Sequence, residues 1–293
     1  MNFLEAVCNN PLLQMALIAC VGASFASGVI GSFVVVKRIV SLSGSISHSV
    51  LGGLGCALFF RRVYHLDWLM PIYGALFASV LSALIIGYVH LYHREREDSV
   101  IAMIWSVGMA GGVIFASQTP GFNLELMNFL LGNVLWVSSA DLVLLAALDM
   151  VILAVVLLKY KHFLVLCFDE EQAKLQGLNV ARLYFLLLGL IAIGVVILIH
   201  TVGIILVLCM LVLPPSIAEK FTYRLSRMII LSIILNILFS LGGLALSYKL
   251  DWPAGATISL FAAAVYVLSL RFKRPMSVSI PSPVKAEIET ASD

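Results

Sequence analysis

Charge is scarce in this 293-residue sequence: Asp, Glu, Lys and Arg together make up 12% of it, against 61% hydrophobic residues. One aqueous core cannot hide that much apolar surface, so lipid must be the solvent for most of the chain. The charges nearly balance, at a formal net of +2, and no Lys and Arg cluster offers a nucleic acid a basic face. Cysteine is sparse too. Cys8, Cys20, Cys56, Cys167 and Cys209 are odd in number, scattered and without CxxC spacing, so they read as small buried hydrophobes and not as a disulfide framework or a zinc cage. There is no GxxxxGKS or GxxxxGKT nucleotide loop, no HExxH pair and no GxSxG elbow. Such a chain reads as a conduit and not an enzyme, with no cofactor of its own, and any pumping energy must come from a partner or an ion gradient. Residues 1–10 carry Glu5 but no Lys or Arg, so they lack the basic start of a signal peptide, and the apolar run from Pro11 reads as a retained span.

What the sequence has in abundance is apolar runs of about twenty residues, the length a helix needs to cross roughly 30 Å of hydrocarbon. None alternates as a barrel strand would. The expected fold class is all-α: a polytopic membrane bundle of about nine transmembrane helices, at approximately 12–36, 46–60, 69–91, 99–118, 141–158, 183–199, 202–218, 228–248 and 253–270. Eight to ten remain open, because the second run is short and only His200 and Thr201 separate the sixth from the seventh. Residues 1–274 form the membrane domain in this reading. Residues 275–293, rich in Pro, Ser, Glu and Ala, read as a disordered cytoplasmic tail.

With nine crossings, fifteen of the eighteen Lys and Arg fall on one side and three, Arg61, Arg62 and Lys249, on the other. The positive-inside rule then puts the N-terminus outside and the C-terminus in the cytoplasm of a bacterial plasma (inner) membrane. Trp68, Trp136 and Trp252 lie at the outer loops, as an interfacial aromatic belt requires.

The longest inner connection between spans, 159–182, holds the run Phe168-Asp169-Glu170-Glu171-Gln172-Ala173-Lys174-Leu175-Gln176-Gly177. Asp169 is a good N-cap, Glu170 and Glu171 suit the positive end of a helix dipole, and Gly177 can end the helix. A short surface helix follows, with Phe168, Ala173 and Leu175 offering apolar contacts to a groove on a cytoplasmic partner. The competing reading is a solvated connector.

This run resembles the coupling segment of the metal-importing ATP-binding-cassette permeases, the ABC-3 family that carries zinc, manganese or iron. The resemblance extends along nearly the whole chain. Ile30-Gly31-Ser32-Phe33-Val34-Val35-Val36-Lys37-Arg38 is similar to the family's GSFVVxRR, Ser47-His48-Ser49-Val50-Leu51 to SHAVL, and Asp98-Ser99-Val100-Ile101-Ala102-Met103 to EDSAIGI. Leu131-Gly132-Asn133-Val134-Leu135-Trp136-Val137-Ser138 resembles FGDILxVS. The stretch from Val202-Gly203 through Leu213-Pro214-Pro215-Ser216 resembles VGxLLVxALLxxPAATA, and Pro253-Ala254-Gly255-Ala256 the late PSGA. The resemblance implies two permease copies in the lipid bilayer, a cytoplasmic ATPase subunit that consumes the ATP, an extracytoplasmic metal-binding protein, and a divalent metal cargo, zinc ahead of manganese or iron.

Three side chains are candidates for the metal path. His48 sits among Ser41, Ser43, Gly44, Ser45, Ser47 and Ser49, small residues that let helices approach closely, and neutral imidazole accepts zinc or manganese. A histidine bonded to a neighbouring carbonyl as structural glue is the alternative. Many family members carry an acid four residues before this histidine; here that position is Gly44, which leaves half of an i, i+4 acid–histidine pair. Asp149 is an acid in the middle of the fifth run, where insertion costs about 2.5–3.5 kcal/mol, so it should face the bundle and either line a path or bond a structural partner such as Asn236. His200, just before Val202-Gly203, would receive metal at the outer mouth or simply be solvated. Gly203 and the Pro214-Pro215 pair, which ends or kinks the seventh helix, are gate candidates. The run from His90 through His93 to Asp98 reads as a solvated loop, with a histidine-lined metal exit as the alternative.

Overall fold

The computed structural model describes residues 3–93, 97–120 and 134–271, and among them it contains helices and turns but no strand. The helices are α1 (Phe3–Asn9), α2 (Pro11–Val36), α3 (Val40–Val63), α4 (Pro71–Tyr92), α5 (Glu97–Gln118), α6 (Ser139–Phe168), α7 (Glu170–Leu175), α8 (Val180–Val202), α9 (Ile204–Phe221), α10 (Leu225–Leu250) and α11 (Ala254–Ser269), with a 3₁₀ turn at Val134–Trp136 before α6. Eight of them, α2 to α6 and α8 to α10, are long and apolar enough to cross a membrane. The ninth expected span is present as α11, an apolar helix of 16 residues. The proposed tail, 275–293, lies outside the described residues, as do Arg94, Glu95, Arg96 and Leu131-Gly132-Asn133.

Three boundaries differ from the sequence expectation, each for a local reason. Helix α3 starts at Val40, not near 46, because its serines do not break it. Ser43, Ser47 and Ser49 donate to the carbonyls of Val40, Ser43 and Ile46, within the helix's own turns. Helix α6 runs on past Lys159 and Lys161 to Phe168, since nothing between 150 and 168 is Gly or Pro and Asp169 supplies the stop. His200 and Thr201 lie inside α8. The break falls one turn later at Gly203, whose φ of 88° and ψ of 158° belong to a region that is essentially glycine's alone.

Helix α9 carries Pro214 and Pro215 in its interior and continues to Phe221. The prolines therefore do not end it. Each removes an N–H, leaving the carbonyls of Met210 and Leu211 without their helical partners. Asn236 of α10 donates its side-chain amide to the Met210 carbonyl at 3.2 Å, and a methyl placed on Gly31 of α2 would fall on the Leu211 oxygen. A neighbouring side chain thus fills one vacancy, and close backbone approach covers the other.

Helix α3 is held between α4 and α5. Helix α2 runs through the other group, against α6, α8, α9 and α10, while α11 closes on α9 and α10. Helix α8 joins the two groups, packing on α4 and α3 as well as on α6 and α2. Helices α5 and α6 leave large apolar side chains outward, among them Val107, Val113, Val143, Met150 and Leu158, a surface that lipid covers at no cost. The basic ends of α2 and α4 meet α7 through Lys37, His90 and Glu170; at the opposite end Asp141 of α6 meets His200 of α8.

Candidate functional site

His48 lies on α3 at its seam with α5. The seam is made of small residues: a Cβ added to Gly52 would sit 2.8 Å from the Gly108 carbonyl oxygen, and one added to Gly112 would sit 3.1 Å from the Leu51 backbone. Ser45 donates across the seam to the carbonyl of Ile101 at 2.9 Å. Such close approach is how small residues register helices in lipid. The half-buried His48 ring stacks on Trp105 of α5, centroids 4.3 Å apart and planes 17° from parallel, and its buried Nδ1 has no hydrogen-bond partner. The expected alternative, a histidine bonded to a neighbouring carbonyl, is not seen at that nitrogen. The neighbouring serines spend their hydroxyls on backbone carbonyls, so the imidazole is the polar group the seam leaves over. Trp105 was not singled out from sequence, because a tryptophan in an apolar run looks lipid-facing.

Trp105 also explains the room at Gly44. A Cβ there would meet the indole at 3.4 Å, an ordinary van der Waals contact, so a longer side chain would lie against the ring.

Asp149 is elsewhere. It lines a crevice of about 530 Å³ between α2, α6 and α10, whose other walls include Phe25, Val29, Leu153, Val156, Ile229 and Ile233. Its Oδ1 is buried without a partner, an arrangement that costs about 1–3 kcal/mol. Asn236, the structural partner expected for it, instead donates to Met210. The fold places His48 against α5 and Asp149 against α2 and α10, so the two do not form one site.

His200, in the last turn of α8, places its Nδ1 3.5 Å from Oδ1 of Asp141. Asp141 is itself held by a capping box, in which Ser138 and Asp141 each accept from the other's backbone. Ser138-x-x-Asp141 is a legible helix-start signal that the sequence reading passed over, and it gives His200 a carboxylate neighbour. Among the described residues no three His, Cys, Asp or Glu side chains gather into a cage.

At the basic end, α7 forms as expected. Asp169 caps it, accepting from the N–H groups of Glu171 and Gln172 at 2.9 Å, and Gly177 follows it at φ 75°. Its outward face differs from the expectation: Ala173 is fully buried against the bundle, and Glu170 turns inward to Lys37 and His90. Phe168 at the end of α6 and Leu175 of α7, 64% and 88% exposed, face outward together with Glu171, Gln172 and Lys174. His90, read as part of a solvated loop, is half-buried and stacks on Tyr184 of α8.

Residues 9–273 match the ABC 3 transport family. The chain is 50% identical, over 95% of each sequence, to a protein of Chlamydia pneumoniae described as a "probable metal transport system membrane protein". It is 34% identical to the manganese transport system membrane protein MntC of Listeria monocytogenes, over 93% of this chain and 94% of that one. Its fold matches PsaBC from Streptococcus pneumoniae, solved in complex with a Fab, at a TM-score of 0.80 and 26% identity, covering 99% of this chain and 98% of that one. With this fold and these matches, the chain belongs to the ABC 3 transport family, as the multi-pass membrane subunit of a metal transport system.

Proposed function

We propose that the chain carries a divalent first-row transition metal inward, driven by ATP hydrolysis in a separate cytoplasmic subunit that docks on α7. Two copies would form the membrane unit, receiving metal from an extracytoplasmic binding protein at the end where His200 and Asp141 lie, with the charge split setting N-terminus outside and C-terminus inside. His48 is the side chain we assign to the path. The observation that carries this assignment is its unpartnered Nδ1 in a seam whose serine hydroxyls are already committed. A neutral imidazole of this kind is a metal ligand of ordinary chemistry. Asp149 and His200 are secondary candidates, and Gly203 in its glycine-only conformation is the gate candidate on the path side.

Manganese is the cargo favoured by relatives at 34% and 30% identity that are named manganese transport system membrane proteins. Zinc, the metal preferred from sequence resemblance, is the second reading. Imidazole alone does not separate the two, and Gly44 removes an oxygen ligand that would have favoured the harder ion. Cells lacking their own manganese and zinc uptake, expressing this chain with its ATPase and binding protein, should regrow under chelation on added manganese at lower concentration than on zinc. Rescue by zinc alone would reverse the assignment, and rescue by neither would remove it.

A further inference from the structure

At the basic end, side chains from elements distant in sequence meet at one carboxylate: Lys37 after α2 and His90 of α4 both reach Glu170 of α7. Lys37, the C-cap of α2, pairs with Glu170 Oε1 at the first position of α7 and also donates to the Leu166 carbonyl of α6 at 3.2 Å. His90, near the end of α4, places Nε2 3.2 Å from the same Glu170 oxygen. Its ring stacks on Tyr184 of α8 with centroids 4.4 Å apart, and the Lys37 ammonium lies 5.9 Å from that tyrosine's ring centre. Burial alone would push the Glu170 carboxyl up, but the hydrogen bond and charge of Lys37, with His90, hold it below its ordinary value. The carboxylate therefore stays ionised between its two partners, Lys37 and His90.

A partly buried pair of this kind adds little net stability over apolar packing, whereas removing one partner strands a charge. It fixes geometry. Beyond the node the contacts are backbone-tight: Gly74 of α4 and Gly53 of α3 approach so closely that a methyl on either would strike the other's carbonyl, and α3 carries His48. The contacts thus run from α7 through His90 to α4, from α4 to α3, and through Lys37 to α2.

We propose that Glu170, held by Lys37 and His90, is a positioning residue that transmits motion of α7 to the helices of the metal path, and is not part of the docking face itself. This rests on the reading of α7 as the ATPase docking helix.

The test is reconstitution of the full complex with its ATPase, reading subunit co-purification, ATP hydrolysis and manganese moved per ATP. Glu170→Gln is expected to keep the ATPase bound and hydrolysing, while manganese moved per ATP falls on the order of tenfold, the scale of a typical coupling energy. The exchanged pair Lys37→Glu with Glu170→Lys should recover most of that loss, as a role carried by the ion pair requires, while unchanged co-purification and hydrolysis in Glu170→Gln set the node apart from a merely structural role. Glu170→Asp, which keeps the charge but shortens its reach, covers the case of a Gln variant that does not fold and should also lower manganese per ATP. Leu175→Ser, on the docking face, should release the ATPase. If it does not, the docking reading fails and takes the proposal with it. If Leu175→Ser releases the ATPase but Glu170→Gln or Glu170→Asp leaves manganese per ATP unchanged, the node alone is overturned.

Discussion

The seam around His48 and the crevice around Asp149 each place one ionisable group inside the membrane, by opposite means. In the seam, α3 and α5 touch through glycine and serine backbone, and the imidazole is clamped on Trp105. In the crevice, about 530 Å³ of space lies beside the carboxyl, and its walls are almost wholly apolar. Volume added to the seam must move helices, whereas a change in the crevice is absorbed locally. The seam is therefore where a small movement of α3 becomes a change in what His48 can reach.

That contrast is open to direct attack. The largest effect is expected from Gly108→Val, because even a Cβ at 108 would lie 2.5 Å from the Ser49 backbone. The added volume should cost about 1–3 kcal/mol or more and lower the melting temperature of the purified protein by several degrees. A variant with unchanged melting would show that the seam is not tightly packed. His48→Ala should come next, with uptake reduced on the order of tenfold and membrane insertion and yield retained, as loss of one ligand group implies; normal uptake would put the path elsewhere. Gly44→Asp should displace Trp105 and shift its emission to the red, with a severalfold fall in uptake. An unshifted spectrum would mean that the seam accommodates the acid. Asp149→Asn should have the smallest effect. It changes a carboxyl with one buried, unpartnered oxygen at nearly constant volume, so melting should shift by no more than a degree or two and uptake fall less than in His48→Ala. A fall as deep as that of His48→Ala would make the crevice an equal part of the path.

Much of the fold was legible because membrane helices announce themselves by length and composition. The eight long spans fall on runs visible in the sequence. What misled were residues read by soluble-protein habits. The serine-rich stretch looked like a break, but Ser43, Ser47 and Ser49 bond to their own helix, and Lys159 and Lys161 looked like a loop but ride on the last turns of α6. Pro214 and Pro215 looked like an end, yet Asn236 supplies one of the missing bonds. The candidate site was less legible. His48 was found through a family resemblance, whereas its stacking partner Trp105 lies 57 positions away on another helix. The Glu170 node joins residues 133 and 80 positions apart, and no local pattern marks such a meeting.

The central claim is that this chain moves metal only when a partner hydrolyses ATP. The direct measurement is manganese uptake into vesicles containing the chain and its ATPase, with and without ATP at the nucleotide-binding side and with ion gradients dissipated. Uptake that requires ATP, survives dissipation of the gradients and falls in His48→Ala is the expected result. Uptake that continues with an ATPase-dead partner and collapses when the gradients are removed would contradict the account.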